Sequence, residues 1–397
     1  MKILILEGTS KLGGAQFDNI LIQRTTSEEF CYHTICPNNG DLYNKMKVEG
    51  NNVEILPMPK LISTSFFLRN KPILNPFALA NNFLSYFKFA KQLTRYIKTN
   101  KYDLVITNGM NPHFYGGIAS KFAKTPVVFR LMDVIREDML LGFARKVFQA
   151  FASIVKAKIV VPSNAVAKAM FSDAFSKSNV KVIYNATDLM DFNLEKADPL
   201  LRELYNIDEG CVVFGCYSRL TPWKGHKTFV NAAISLLNKG VKAKFLIVGG
   251  AVFGSDNFLN SLKVIVAKSG HENDIIFTGF RYDMANCIKS ADIVVVPSTH
   301  PDPCPRVMVE SMALAKPIIG SDIGGIPEVI KDNETGLIFK PNDSIDLQNK
   351  FEYFLKNKPQ ILIMGENGFA RQEKLYRLDQ YQSQHECFFN KTVEQYK

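Results

Sequence analysis

Asp302-Pro303-Cys304-Pro305-Arg306-Val307-Met308-Val309-Glu310-Ser311-Met312-Ala313, continued by Gly320-Ser321-Asp322-Ile323-Gly324-Gly325-Ile326-Pro327-Glu328, is the stretch on which the fold is read. The apolar run Ile293–Val296 before it has strand character, and so does Pro317–Gly320 within it. Between them lie a Pro-rich turn and an apolar helix expected over Glu310–Ala315. Strand, helix and strand at this spacing make one parallel crossover unit. Its polar residues all follow strand ends, where open α/β sheets collect ligands.

The same alternation extends in both directions. Strands are expected at Ile3–Leu6, His33–Cys36, Val53–Leu56, Leu104–Thr107, Val127–Arg130, Ile159–Val161 and Val182–Tyr184. A second set is expected at Val212–Cys216, Lys244–Val248, Ile275–Thr278, Ile293–Val296, Pro317–Gly320 and Gly336–Phe339. Segments of helical period separate most of them, which predicts two doubly wound, Rossmann-like parallel sheets. At 397 residues the chain has the length of two ordinary domains. The expected division is 1–188, a polar linker 189–210 lacking strand character, and 211–372; a helix at about 373–390 packs back onto the first domain.

Hydrophobic residues at 46% and charged residues at 22% fit a globular protein, and no apolar run reaches the length of a membrane span. Glu7 interrupts the first apolar run too early for a signal peptide, so that run is expected to be a strand. Seven cysteines without paired spacing predict reduced thiols and a cytoplasmic location. Residues 1–190 carry 24 Lys and Arg against 13 Asp and Glu, whereas residues 191–397 carry 24 against 25. The first half is therefore the one suited to an anionic partner, or else simply a solvated lysine-rich surface.

Three elements of the second half point to a phosphate-bearing ligand. Ser218-Arg219-Leu220-Thr221-Pro222-Trp223-Lys224-Gly225 puts an Arg and a Lys on one loop after a strand, a planar fork and a compact charge for a diphosphate. Ile247-Val248-Gly249-Gly250 and Phe277-Thr278-Gly279-Phe280 end strands in glycine, as expected where backbone turns or approaches a ligand closely. The Asp302–Glu310 run follows.

Together these segments resemble the nucleotide-sugar signature of the retaining family-4 glycosyltransferases, two-domain enzymes of the GT-B fold whose sheets face a cleft. The resemblance implies that Arg219 and Lys224 bind the donor pyrophosphate, that Glu310 holds the ribose, and that Asp302 holds the donor sugar. Most members have Glu where Asp302 stands. Cys304, Arg306 and Val307 would supply N–H donors, since Pro303 and Pro305 have none. Thr278, Gly279 and Phe280 would lie beside the base, and Gly249 and the Gly324–Gly325 pair near the phosphates.

In the first half the resemblance assigns Gly13 and Gly14 to the donor phosphate, and Gln16, Asp133 and Arg136 to the acceptor side. Met132 stands where the family often has a His beside that Asp. His113, expected on a loop, is the candidate proton carrier, and Arg130 is a further cation of the region. The implied reaction moves a sugar from a nucleoside diphosphate to a hydroxyl of a glycan or lipid-linked acceptor, with retention, in polysaccharide synthesis. No metal or cofactor is required in this reading, and no nucleic-acid partner.

Between Leu61 and Lys98 the chain is aromatic and basic. A helix expected over Asn75–Thr99 would bury Phe83, Phe87, Ala90, Thr94 and Ile97, and its remaining aromatics and cations suit an anionic membrane surface on the inner face. A sugar-nucleotide epimerase of the same architecture and a non-catalytic nucleotide-sugar binding protein remain as alternatives. A dinucleotide-dependent oxidoreductase does not, because neither half has a G-x-G-x-x-G after a strand with an acid about 20 residues on.

Overall fold

The computed structural model of the protein describes residues 1–24, 27–59, 62, 65–68, 71–133, 144–251 and 256–396. The chain divides into two units. The first comprises Met1–Pro162, Ala167–Ile183 and Gln382–Lys397; the second comprises Ser163–Val166 and Tyr184–Tyr381.

The first unit is built on β1 (Lys2–Glu7), β2 (Cys31–Cys36), β3 (Val53–Ile55), the hairpin strands β4 (Ser65–Leu68) and β5 (Lys71–Leu74), β6 (Leu104–Asn108), β7 (Val127–Arg130), β8 (Lys158–Val161) and β9 (Val180–Val182). Seven of these form one sheet in the order β3-β2-β1-β6-β7-β8-β9, and every pairing in it is parallel. Ile3, Leu4, Ile5, Leu104, Val105 and Ile106 are buried, the unbroken apolar run of strands covered on both faces.

The second unit carries β10 (Val212–Tyr217), β11 (Ala243–Val248), β12 (Ile275–Gly279), β13 (Ile293–Val296), β14 (Ile318–Ser321) and β15 (Gly336–Phe339), ordered β12-β11-β10-β13-β14-β15 and again parallel. One face packs through Phe214, Phe229, Phe245 and Phe351; the other packs through Leu246, Val294, Met308 and Met312. Strand order reverses at β1/β6 and at β10/β13. These are the switch points where loops diverge and leave room for a ligand.

The structure departs from the sequence reading at several elements. The helix expected from Glu310 starts at Arg306, directly after Pro305, and runs to Ala313, so Glu310 lies in its second turn. Proline at the start of a helix loses no hydrogen bond, and Val307, Met308 and Met312 set the buried face from there. The strand expected at Val182–Tyr184 is Val180–Val182. The antiparallel hairpin β4–β5 was not foreseen. The stretch 189–210 is not a free linker: it forms helix Leu200–Leu204, and Ala197, Leu201 and Ile207 enter the second unit's core. Helix Pro76–Asn100 buries Ala78, Asn82, Phe89, Ala90, Leu93 and Ile97, while Phe83 and Phe87 face outward.

The chain ends in helices Pro359–Leu375 and Leu378–Tyr396. Tyr376, Tyr381 and Phe389 are buried; Leu378 and Phe388 are half-buried. All seven cysteines are free thiols. No helix among the described residues is long and apolar enough to cross a membrane.

Candidate functional site

At the β10/β13 switch point two loops are tied together by charge. The loop after β10 folds into a short 3-10 turn, Pro222–Lys224, and delivers Lys224. The loop after β13 delivers Ser298 and Asp302. Lys224 Nζ lies 2.5 Å from Asp302 Oδ2, and Ser298 Oγ donates to the same oxygen at 2.8 Å. Asp302 is buried and Lys224 half-buried, so the pair is shielded enough to hold its geometry.

Glycine makes this closeness possible. Gly225, at φ +76, precedes helix His226–Leu237, and a Cβ there would stand 1.6 Å from the Pro297 carbonyl oxygen. Gly324 and Gly325 press on the Asp302–Pro303 turn. A Cβ on Gly324 would lie 2.3 Å from Asp302 O, and one on Gly325 2.0 Å from Pro303 O. Gly325 N also donates to Asp302 O at 2.8 Å. Gly249 likewise abuts the Ser218 carbonyl, 2.0 Å from its would-be Cβ. These glycines build the wall of the site.

The other donor-side candidates follow the same strand ends. Arg219 is exposed on the β10 loop, whose Leu220 N donates to Gly250 O. Thr278 and Gly279 end β12, with Gly279 at φ +76, and Phe280 after them is exposed. Cys304 and Val307 are buried; Cys304 O accepts from Asn185 Nδ2 at 2.8 Å. Glu310 Oε1 pairs with Arg306 Nε at 3.2 Å along the helix. Glu328 accepts from Asn164 N, Ala165 N and Tyr184 Oη, which makes it a structural clamp. His226, against Ser218 Oγ at 3.1 Å, is buried and pushed down to about 4 by loss of hydration.

In the first unit Gly13 precedes helix Gly14–Gln23, as its glycine pair predicted. Gln16 Nε2 reaches Glu7 Oε2 at 3.4 Å. Glu7, which the sequence reading passed over as a strand residue, is fully buried and accepts from Asn19 and Asn108 as well. Burial raises its pKa, and the surrounding amides pull the other way.

His113 is not on a loop. It lies inside helix Met110–Ala123, buried against Phe129 and bonded to Thr107 Oγ1 at 2.7 Å, with its pKa lowered to about 3 by desolvation. A neutral histidine sealed in the core cannot exchange protons with a substrate. Arg130 is buried and Asp133 exposed; Arg136 lies outside the described residues.

A cavity of about 520 Å³ opens at the ends of β1 and β2, bordered by Ser10, Lys11, Asn38, Tyr86, Asn111 and Tyr115. Sequence reading missed these residues because they come from four separated segments. Among the described residues no group of three or more His, Cys, Asp or Glu side chains could hold a metal ion.

Comparisons with known proteins bear on the family and the fold. Residues 198–371 match the family described as Glycosyl transferases group 1, and residues 44–190 match Glycosyltransferase Family 4. An Escherichia coli protein named UDP-Gal:alpha-D-GlcNAc-diphosphoundecaprenol alpha-1,3-galactosyltransferase is 22% identical over 85% of this chain and 82% of its own. The lipopolysaccharide core biosynthesis mannosyltransferase LpsB of Rhizobium meliloti is 26% identical over 45% of this chain, a match spanning about half (51%) of that protein's length. Anabaena Alr3699/HepE, solved in complex with UDP-glucose, superposes with a TM-score of 0.82 at 23% identity over 100% of both chains.

Proposed function

Since the chain belongs to the group 1 glycosyltransferases, we propose that it transfers a hexosyl group from a nucleoside diphosphate to a hydroxyl of a glycan or lipid-linked acceptor, with retention of anomeric configuration. The observation that carries the reading is the Lys224–Asp302–Ser298 cluster at the β10/β13 switch point. In this reading Lys224 and the exposed Arg219 take the diphosphate. Asp302 meets the sugar hydroxyls, Glu310 the ribose, and the backbone N–H groups of Arg306 and Val307 add donors at a helix start. Arg219, Lys224 and the helix-start N–H groups stabilise charge on the departing diphosphate without calling for a divalent ion.

We assign the acceptor to the first-unit cavity, where the half-buried Tyr86 offers a ring, backed by the buried Tyr115, and Asn38, Asn111 and Ser10 offer hydrogen bonds. The resemblance to a galactosyltransferase named for a diphosphoundecaprenol acceptor favours a lipid-linked substrate and a site of action at the cytoplasmic face of a membrane. UDP-glucose, UDP-galactose and GDP-mannose, tested by thermal shift, discriminate the donor class, because a ligand of the folded state alone raises Tm. A shift with one nucleotide and release of that nucleotide on adding acceptor support transfer. Binding without release favours the non-catalytic alternative, and no shift with any donor overturns the reading.

A further inference from the structure

Helix Pro76–Asn100 buries Phe89 but leaves three other phenylalanines and a leucine outside. Phe77 is 85% exposed, Phe83 67%, Leu84 57% and Phe87 48%. Phe122, from the packed helix Met110–Ala123, is 56% exposed and meets Phe87 edge-on at 6.4 Å. Isolated surface phenylalanines are ordinary; a contiguous group of this kind marks an interaction surface.

The other half of the same outward face is cationic. Positions 77, 84, 88, 91 and 95 are spaced by seven, four, three and four, which lines Phe77 and Leu84 up with Lys88, Lys91 and Arg95 on one side of the helix. A groove of about 430 Å³ runs along Lys88, Lys91, Gln92, Arg95, Tyr96 and Thr99, combining three cations with amide and hydroxyl donors. Residues 55–132 hold eleven Lys and Arg and a single acid, Asp103, whose carboxylate accepts from Lys2 N. Glu54 sits at the flank, accepting from Tyr96 Oη at 2.6 Å.

We propose that this face, with Phe77, Phe83, Leu84, Phe87 and Phe122 at one end and Lys88, Lys91 and Arg95 at the other, docks on a bilayer containing anionic lipid headgroups. The rings enter the headgroup boundary while the cations meet phosphates, the arrangement of an interfacial helix that lies on a membrane without crossing it. A second copy of this chain is a poorer occupant, because a symmetric pairing would set like charges against each other. The proposal deepens the reading of a lipid-linked acceptor, but its evidence is independent of the donor site.

The test is co-sedimentation of the full chain with phosphatidylcholine vesicles and with equal mixtures of phosphatidylcholine and phosphatidylglycerol. Wild type should bind the mixed vesicles, lose binding at high salt, and ignore phosphatidylcholine alone. Lys88→Ser/Lys91→Ser/Arg95→Ser should bind about a hundredfold more weakly, from roughly 1 kcal/mol per charge. Phe77→Ser/Phe83→Ser should weaken binding about tenfold at unchanged salt dependence. As a positive readout, Phe83→Trp should shift its emission to the blue only with mixed vesicles.

Equal binding to both vesicle types, none to either, or variants that bind like wild type would overturn the proposal. So would concentration-dependent dimerisation abolished by the Phe variant, which would show a second copy on this face. Donor thermal shift measured on each variant separates the two readings: vesicle binding can fail while the shift persists, and the reverse.

Discussion

At the scale of single residues, Lys224 and Asp302 decide whether the switch-point cluster is machinery or scaffold. Lys224→Met leaves Asp302 buried with only Ser298 bonded to its Oδ2, an uncompensated charge that should cost about 3 kcal/mol. Adding Asp302→Asn removes that charge and should restore most of the stability, while turnover stays at least about a hundredfold down. Denaturant melts alongside nucleotide release separate the outcomes, and turnover returning with stability would make the pair structural only. His113 gives a prediction of the opposite kind. Its folded pKa, about 3, lies below the ordinary 6.5, so between those values the unfolded state binds the extra proton and stability falls as pH drops. From pH 6.5 to 5 that amounts to about 2 kcal/mol, a slope that His113→Asn should flatten in denaturant titrations. His226 acts in the same sense in the second unit, whereas Glu7, raised by burial, opposes it by losing stability as pH rises above 4.5. Lys224 and Asp302 were legible because each follows a strand end in an ordered pattern of charge and proline. The placement of His113 was not, since only the packing of Phe129 and Phe148 around its ring shows that it points inward.

At the scale of elements, two glycines with the same backbone separate the cost of conformation from the cost of contact. Gly225 and Gly240 sit at φ +76 and +77. Gly240 has nothing within 4 Å of a would-be Cβ, so Gly240→Ala should cost only the left-handed penalty of about 1–2 kcal/mol. Gly225→Ala must also displace the Pro297 carbonyl from 1.6 Å, dragging the loop that carries Ser298; a loss above about 4 kcal/mol in urea unfolding, with impaired donor binding, is expected. Equal costs for the two would mean that the loops yield easily. Every expected strand of the second sheet is present, because buried parallel strands are unbroken β-branched runs such as Ile293–Val296. Helix faces were less legible. In Pro76–Asn100 apolar residues occur on more than one side, so periodicity fits two stripes, and packing against Tyr115 selects the one containing Phe89. The start at Arg306 escaped notice because Pro305 reads as a turn residue until its role as helix cap is seen.

At the scale of the whole molecule, chain order and unit membership part company twice. Residues 189–210, polar enough to read as a connector, contribute Ala197, Leu201 and Ile207 to the second unit's core, each isolated in sequence but together in space. In the other direction, Gln382–Lys397 belongs to the first unit although nearly two hundred residues of the second precede it. Gln382 Nε2 donates to Leu21 O at 2.8 Å, and His385, Phe389 and Thr392 are buried at the i, i+4 and i+7 spacing of one helix face. The first unit is therefore built from segments on either side of the second, and its stability depends on Gln382–Lys397. Phe389→Ala should destabilise that unit by about 3–5 kcal/mol, and removal of Gln382–Lys397 should do so more severely. The second unit carries the Lys224–Asp302 cluster on its own loops, so the donor's thermal shift should survive in Phe389→Ala as a separate, later transition. Calorimetry with and without the donor reads both. A single transition that moves as one with Phe389→Ala would mean that the two units unfold as a single cooperative body, and that the C-terminal helix supports both.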